Sequence, residues 1–130
     1  MAIHEQIISH SVTVIHSNLV NYGYIIRLTL LSGTKVFISF PKDPSPVFVT
    51  FTDGMINAQM PESRFSEAYH LLQSEHTVFL SALNLSGLQT VNLTTDPQLT
   101  NMLDLYPPER RPEIAGMFSA SGERQSKTGP

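Results

Sequence analysis

Five histidines, His4, His10, His16, His70 and His76, are the side chains in this chain best suited to holding a metal or moving a proton near neutral pH. Their spacing speaks against both roles. On one uninterrupted strand His10 and His16 share a face, but at roughly 3.3 Å per residue they stand about 20 Å apart, beyond the reach of a single ion. His70 and His76 are not at a same-face helical spacing. His4 is expected in a frayed terminus. No metal site and no cofactor are expected.

The acids are equally unpromising as catalysts, because acid and base work needs carboxylates whose surroundings drive their pKa values apart. Glu62, Glu67 and Glu75 fall at or near a predicted helix, and Asp53 belongs to a predicted turn. A serine nucleophile would need a strand-to-helix elbow of the form GxSxG, which the chain lacks. Ser32-Gly33-Thr34-Lys35 has neither the preceding glycine nor the following helix of a phosphate loop. With no cysteine, thiol catalysis, disulfides and thiolate-bound metals are excluded. The chemistry therefore points away from an enzyme.

Composition points toward association. Of the 130 residues, 41% are hydrophobic and only 15% charged, against about 25% charged in ordinary soluble domains. Neutral amides and hydroxyls supply the remaining polarity, and these cost less to desolvate than ions. The net charge of −3, with bases scattered through the first hundred residues, makes nucleic acid an unlikely main partner. The amino-terminal segment has neither a basic start nor a continuous apolar run, so a cytoplasmic protein with no membrane segment is expected.

The elements follow from alternation and turn chemistry. Val12 to Ile15 alternates weakly, and Asn18 to Gly23 reverses the chain into Tyr24 to Leu31, where Tyr22, Tyr24, Ile26, Leu28 and Leu30 share a face. Ser32-Gly33 turns into Lys35 to Phe40. The prolines at 41, 44 and 46 enforce a loop. Val47 to Thr52 and Met55 to Met60 form a second hairpin about Asp53-Gly54, a favoured type I′ pair. Pro61-Glu62-Ser63 starts a helix capped by Ser63, with Phe65, Ala68, Tyr69 and Leu72 as its apolar stripe.

From Glu75 to Asp96 no residue is charged. Residues 76–85 read as a strand, with a helical continuation to Gly87 as the alternative. The strand is preferred because a turn at Ser86-Gly87 sets Ala82 opposite Val91 and Leu80 opposite Leu93. Asp96-Pro97 then caps a short helix from Gln98 to Leu105, with Leu99, Met102, Leu103 and Tyr106 on its sticky side.

The order β-β-β-β-β-α-β-β predicts an α+β domain over 1–106: a mostly antiparallel sheet, one main helix packed on a face and a short C-terminal helix. Residues 107–130 form a proline-rich polar extension in which Ile114 and Met117-Phe118 are apolar islands.

One helix, about 10 Å wide, cannot cover both faces of such a sheet. Ile25, Leu31, Phe37, Phe48, Phe79, Leu83 and Leu85 stand opposite the clearest core stripes. The expectation is a non-catalytic interaction or assembly protein, a homodimer or a subunit of a larger complex, with Ile25, Phe37, Phe48, Phe79, Leu83, Leu85 and Phe118 at its interface. A curled sheet or barrel that encloses its own second face is the rival. A small-ligand binder or enzyme with Tyr22, Tyr24, Tyr69 and His70 lining a pocket between helix and curved sheet is the functional alternative. Single-stranded nucleic-acid binding, which requires Arg27, Lys35 and Arg64 to converge beside outward aromatics, comes third.

Overall fold

The computed structural model describes residues 1–20, 22–42, 46–85 and 87–118, with the side chains at 22, 99 and 100 outside the description. Seven strands make one mixed, mostly antiparallel sheet: β1 (Ala2–Val14), β2 (Tyr22–Leu30), β3 (Lys35–Pro41), β4 (Phe48–Thr52), β5 (Met55–Gln59), β6 (Phe79–Leu85) and β7 (Leu88–Thr94). Their order across the sheet is β4-β5-β3-β2-β1-β6-β7. Only β3 and β5 run parallel. The reason is that the chain after Pro41 passes to the sheet's outer position, lays down β4 there, and returns as β5 beside β3.

Residues 76–85 contain the strand β6 and not a helical continuation, and the register is Leu80 to Leu93 and Ala82 to Val91. Gly87, at φ 80°, supplies the left-handed residue of that hairpin; Ser86 lies outside the described residues. The β4–β5 hairpin forms as expected, but its turn is not type I′. That form needs positive φ at both central residues, and only Gly54 has it, at 70°. β1 is far longer than the weak alternation at Val12 suggests, because a bulge between Ile7 and Ser9 shifts its phase partway along.

Helix α1 (Phe65–Leu72) is shorter than its pattern predicts, and Ser63 does not cap it. A 3₁₀ turn (Glu62–Arg64) intervenes after Pro61, with the Arg64 N–H donating to the Pro61 carbonyl at 2.9 Å. Ala68 and Leu72 enter the main apolar cluster, joined there by Ile26, Leu28 and Leu30 of β2, Val36, Ile38 and Phe40 of β3, Val49 of β4 and Leu80 of β6. These are the alternating residues of one sheet face, brought together because the sheet curls nearly into a barrel.

The curl is finished by side chains. β4 and β7 are the outer strands, and no backbone ladder joins them. Instead, Asn84 Nδ2 donates to the Val49 carbonyl at 2.6 Å, and the Val49 N–H donates to Gln89 Oε1 at 2.9 Å. Asn84 and Gln89 are directly paired across the β6–β7 hairpin. Two side-chain amides thus stand in for the neighbouring strand that Val49 lacks.

A second apolar cluster lies on the opposite face of β6. Ala2, Leu83, Tyr106, Ile114 and Phe118 are all buried there, with Leu85, Leu88, Leu103 and Met117 packed around them. The cover consists of the short helix α2 (Leu99–Met102), the 3₁₀ turns that follow it, and helix α3 (111–118). Asp96 organises the entry, accepting from the Gln98 N–H at 2.8 Å and from Asn101 Nδ2 at 2.8 Å. Burying a Phe or Ile side chain contributes about 1.5–3 kcal/mol, so Ile114 and Phe118 hold this segment firmly.

Asn84→Ala leaves a Val49 carbonyl without its donor and should destabilise the fold by about 1–3 kcal/mol in urea unfolding. Phe118→Ala opens a cavity in the second cluster and should cost about 3–5 kcal/mol. Both are read from the shift in the denaturation midpoint at constant slope.

Candidate functional site

The outer face of β1 through β4 is the part of the sheet that the C-terminal segment leaves open. Strand pairing arranges its side chains in three rows. Ser9, Thr29, Lys35, Met55 and Thr52 form one; Ser11, Arg27, Phe37, Asn57 and Thr50 the next; Thr13, Ile25, Ser39, Gln59 and Phe48 the third. Hydroxyls and amides dominate, and none of these positions is acidic. A shallow groove of about 420 Å³ runs across the first two rows, with Ser11, Arg27, Lys35, Phe37 and Met55 among its lining residues.

Two cations and one aromatic ring give the groove its chemistry. The Arg27 guanidinium lies 5.3 Å from the centre of the Phe37 ring, a cation–π contact that also spreads a flat, charged surface over the ring. Arg27 donates to Thr13 Oγ1 at 3.1 Å and Lys35 Nζ to Thr29 Oγ1 at 3.0 Å. Among the described residues neither base is ion-paired; the salt bridges there join Arg64 to Glu67 and Arg110 to Glu113. Arg64 therefore does not converge on this groove with the other two.

The expected interface residues divide into two groups. Phe37 and Phe48 are half-buried on this outer face, while Ile25 lies in the third row and is buried. Phe79, Leu83 and Phe118 are buried within the chain, and Leu85 packs at the edge of the second cluster. Over β6 the cover expected of a neighbour is provided by the chain's own C-terminal segment.

The residues of the ligand-pocket alternative meet differently. Tyr24 and Tyr69 are not the walls of a cavity, because the Phe65 ring fills the space between them, stacked at 3.9 Å on Tyr24 and at 5.8 Å on Tyr69. Phe40 closes the cluster edge-on to Phe65 at 5.3 Å. His70 is exposed on α1, and the Tyr22 side chain lies outside the described residues. No three His, Asp or Glu side chains among the described residues converge to hold a metal.

His4 is the residue whose setting the sequence least reveals. It is not frayed: it sits in β1 at 2% exposure, stacked on Phe79 at 5.4 Å and paired in register with the fully buried Ser81. Among the described residues neither ring nitrogen of His4 nor Ser81 Oγ has a partner in good hydrogen-bonding geometry, although the Asp96 and Pro97 carbonyls lie near the imidazole. With Asp96 close by, a serine, a histidine and a carboxylate gather at one place. Such a trio suits nucleophilic catalysis only where substrate can reach it, and burial closes this one.

Burial also lowers the His4 pKa below its ordinary 6.5, against the opposing pull of the Asp96 and Pro97 carbonyls and the Asp96 charge. The Asp96 carboxyl is itself held low, chiefly by the Gln98 N–H and the Asn101 amide. A histidine that is harder to protonate when folded gives the unfolded chain the greater proton uptake, so stability is full above pH 6.5 and falls as pH drops below it. The Asp96 contribution is lost only in the acid range, below 3.8. His4→Phe should flatten the loss that begins at the higher pH while leaving the acid limb, as read from thermal midpoints across pH.

No family model, curated protein or solved structure matches the chain, so the reading of this face rests on its geometry.

Proposed function

We propose that the protein is a non-catalytic interaction module that docks another protein chain on the outer face of β2, β3, β5 and β4. The observation that carries this reading is an asymmetry in covering. The described helices shield the outside of β6, yet leave the half-buried Phe37 and Phe48 uncovered on the other part of the same surface. A groove lined by an arginine over an aromatic ring, surrounded by easily desolvated hydroxyls and amides, has the composition of an interface centre with a polar rim. The small-ligand alternative is less supported, because Tyr24 and Tyr69 pack on Phe65, and the groove of about 530 Å³ between α1 and β7 is lined by none of Tyr24, Tyr69 and His70.

Self-association is the form of docking most simply tested. Wild-type protein should sediment with a mass that rises with concentration, and the double variant Phe37→Ser, Phe48→Ser should associate more weakly while keeping its circular dichroism and thermal midpoint. An unchanged association in the double variant overturns the assignment of this face.

A second reading is favoured by one feature: Arg27 and Lys35, two bases without carboxylate partners among the described residues, flank Phe37 on an acid-free groove. This is the beginning of a stacking platform for single-stranded nucleic acid. Two phosphate contacts predict weak binding with a log-affinity slope of only about −1.4 against log salt. Fluorescence anisotropy of a labelled oligonucleotide at increasing salt measures it, and the absence of saturable binding at low salt removes the reading.

A further inference from the structure

Strand β1 changes neighbours along its length. From Ala2 to Gln6 it is flanked by β6, and the Ile7 N–H still reaches the Val78 carbonyl at 2.9 Å. Beyond that point it pairs with β2 alone as far as Val14. The other side of residues 8–14 carries no strand among the described residues.

Antiparallel pairing fixes which backbone groups this leaves over. The Ile15 N–H donates to the Gly23 carbonyl at 2.7 Å. Alternation then turns the groups of Thr13, Ser11 and Ser9 toward β2, and those of Val12, His10 and Val14 toward the vacant side. An unpaired edge of this kind is a template for another strand, and proteins ordinarily blunt it with lysine, proline, an inward charge, a bulge or a covering segment. The bulge between Ile7 and Ser9 and the approach of His76 and Thr77 guard only the start of this edge; residues 9–14 carry neither charge nor proline. Ile8 and Val14 stand exposed at 53% and 56%.

We infer that this edge pairs with the same edge of a second copy, antiparallel, about a twofold axis at Ser11. The inference deepens the interaction reading by naming a partner and a second surface for it. The sequence around the axis complements itself. Ser9 of one copy falls opposite Thr13 of the other, His10 opposite Val12, Ser11 opposite Ser11 and Ile8 opposite Val14. The facing pairs that exchange hydrogen bonds are those of even number, the residues whose backbone groups are left over. Hydroxyls meet on the outer face, Val12 meets His10 on the inner one, where the His10 imidazole lies 3.2 Å from the Gln73 amide, and no like charges are brought together.

A notch of about 150 Å³ between Ile8 and His10 on one side and His76 and Thr77 on the other lies where Val14 of the second copy arrives. Seven residues of edge span about 23 Å and fall below the roughly 1,200 Å² of a stable interface. The dimer is therefore weak and exchanging, formed at high concentration.

The chain has no cysteine, so Ser11→Cys introduces a single thiol. Opposed non-hydrogen-bonded residues have Cα atoms about 4.5 Å apart, within the roughly 4.4–6.8 Å that a disulfide spans. Under mild oxidation Ser11→Cys should run mainly as a disulfide-linked dimer on a non-reducing gel, whereas Ser66→Cys, on the exposed side of α1, stays largely monomeric.

As an independent measure, Ser11→Lys, a solvent-exposed change, should associate more weakly than wild type. An equimolar mixture of Ser11→Lys with Ser11→Glu should associate more tightly than either alone. If wild type associates and loses that with Phe37→Ser, Phe48→Ser, but Ser11→Cys does not cross-link, the edge proposal fails and the sheet-face reading stands. If wild type is monomeric at every concentration and Ser11→Cys does not cross-link, the edge belongs to a foreign strand or to none, and self-pairing is overturned.

Discussion

Val49 is where the two ends of the sheet meet, and the fold depends on how that meeting is made. A strand at the edge of a sheet presents backbone groups that must find partners once they are buried, and Val49 is fully buried. Because β4 and β7 form no ladder, Asn84 and Gln89 carry their amides across the gap and take the carbonyl and N–H of Val49. An amide side chain has the same donor and acceptor pair as a peptide unit, which is why it can close the curl where a backbone does not. Closure in turn lets Ile26, Ile38, Phe40 and Leu80 face one another across a single interior.

Once the sheet is curled, its outside becomes the remaining surface to manage, and the chain manages the two halves differently. Phe79, Ser81 and Leu83 on β6 lie beneath the segment that follows β7, an arrangement that also draws His4 into a site without hydrogen-bond partners in good geometry. A buried imidazole is tolerated there because it can be neutral, and its stacking on Phe79 recovers part of what desolvation costs. Over β2, β3, β5 and β4 no such segment lies among the described residues, and Arg27, Phe37 and Phe48 define the surface instead. The open backbone edge of β1 adjoins that surface, so both proposed contacts lie on the same flank of the molecule.

The hairpins were legible because their determinants are local. Leu80 opposite Leu93 and Ala82 opposite Val91 follow from alternation and the position of Gly87, and the β4–β5 pairing follows from Asp53-Gly54 even though the turn takes another form. β1 was mostly hidden because the bulge after Ile7 breaks the alternation into two phases, leaving only Val12 to Ile15 recognisable. The Ser, Val and Thr alternation from Ser11 to Val14 was the available sign of an edge strand. His4 carried no sign at all, since a histidine near a terminus has the same local sequence whether a later segment covers it or not.

Alternation in the sequence alone determined that this is a mostly antiparallel sheet protein, where most of its turns fall, and which residues of the clearer strands lie on a common side. It also determined a surface poor in charge, because that is a matter of composition. Only the tertiary structure decided that the clearest stripes face the inside of a curl, that two amides rather than a strand complete it, and that β6 is covered by the chain's own final helices. The physical reason is that a period of two sorts side chains into two sets without saying what will cover either one. The cover comes from contacts between segments far apart in sequence, such as Ala2 with Phe118, which no local pattern records.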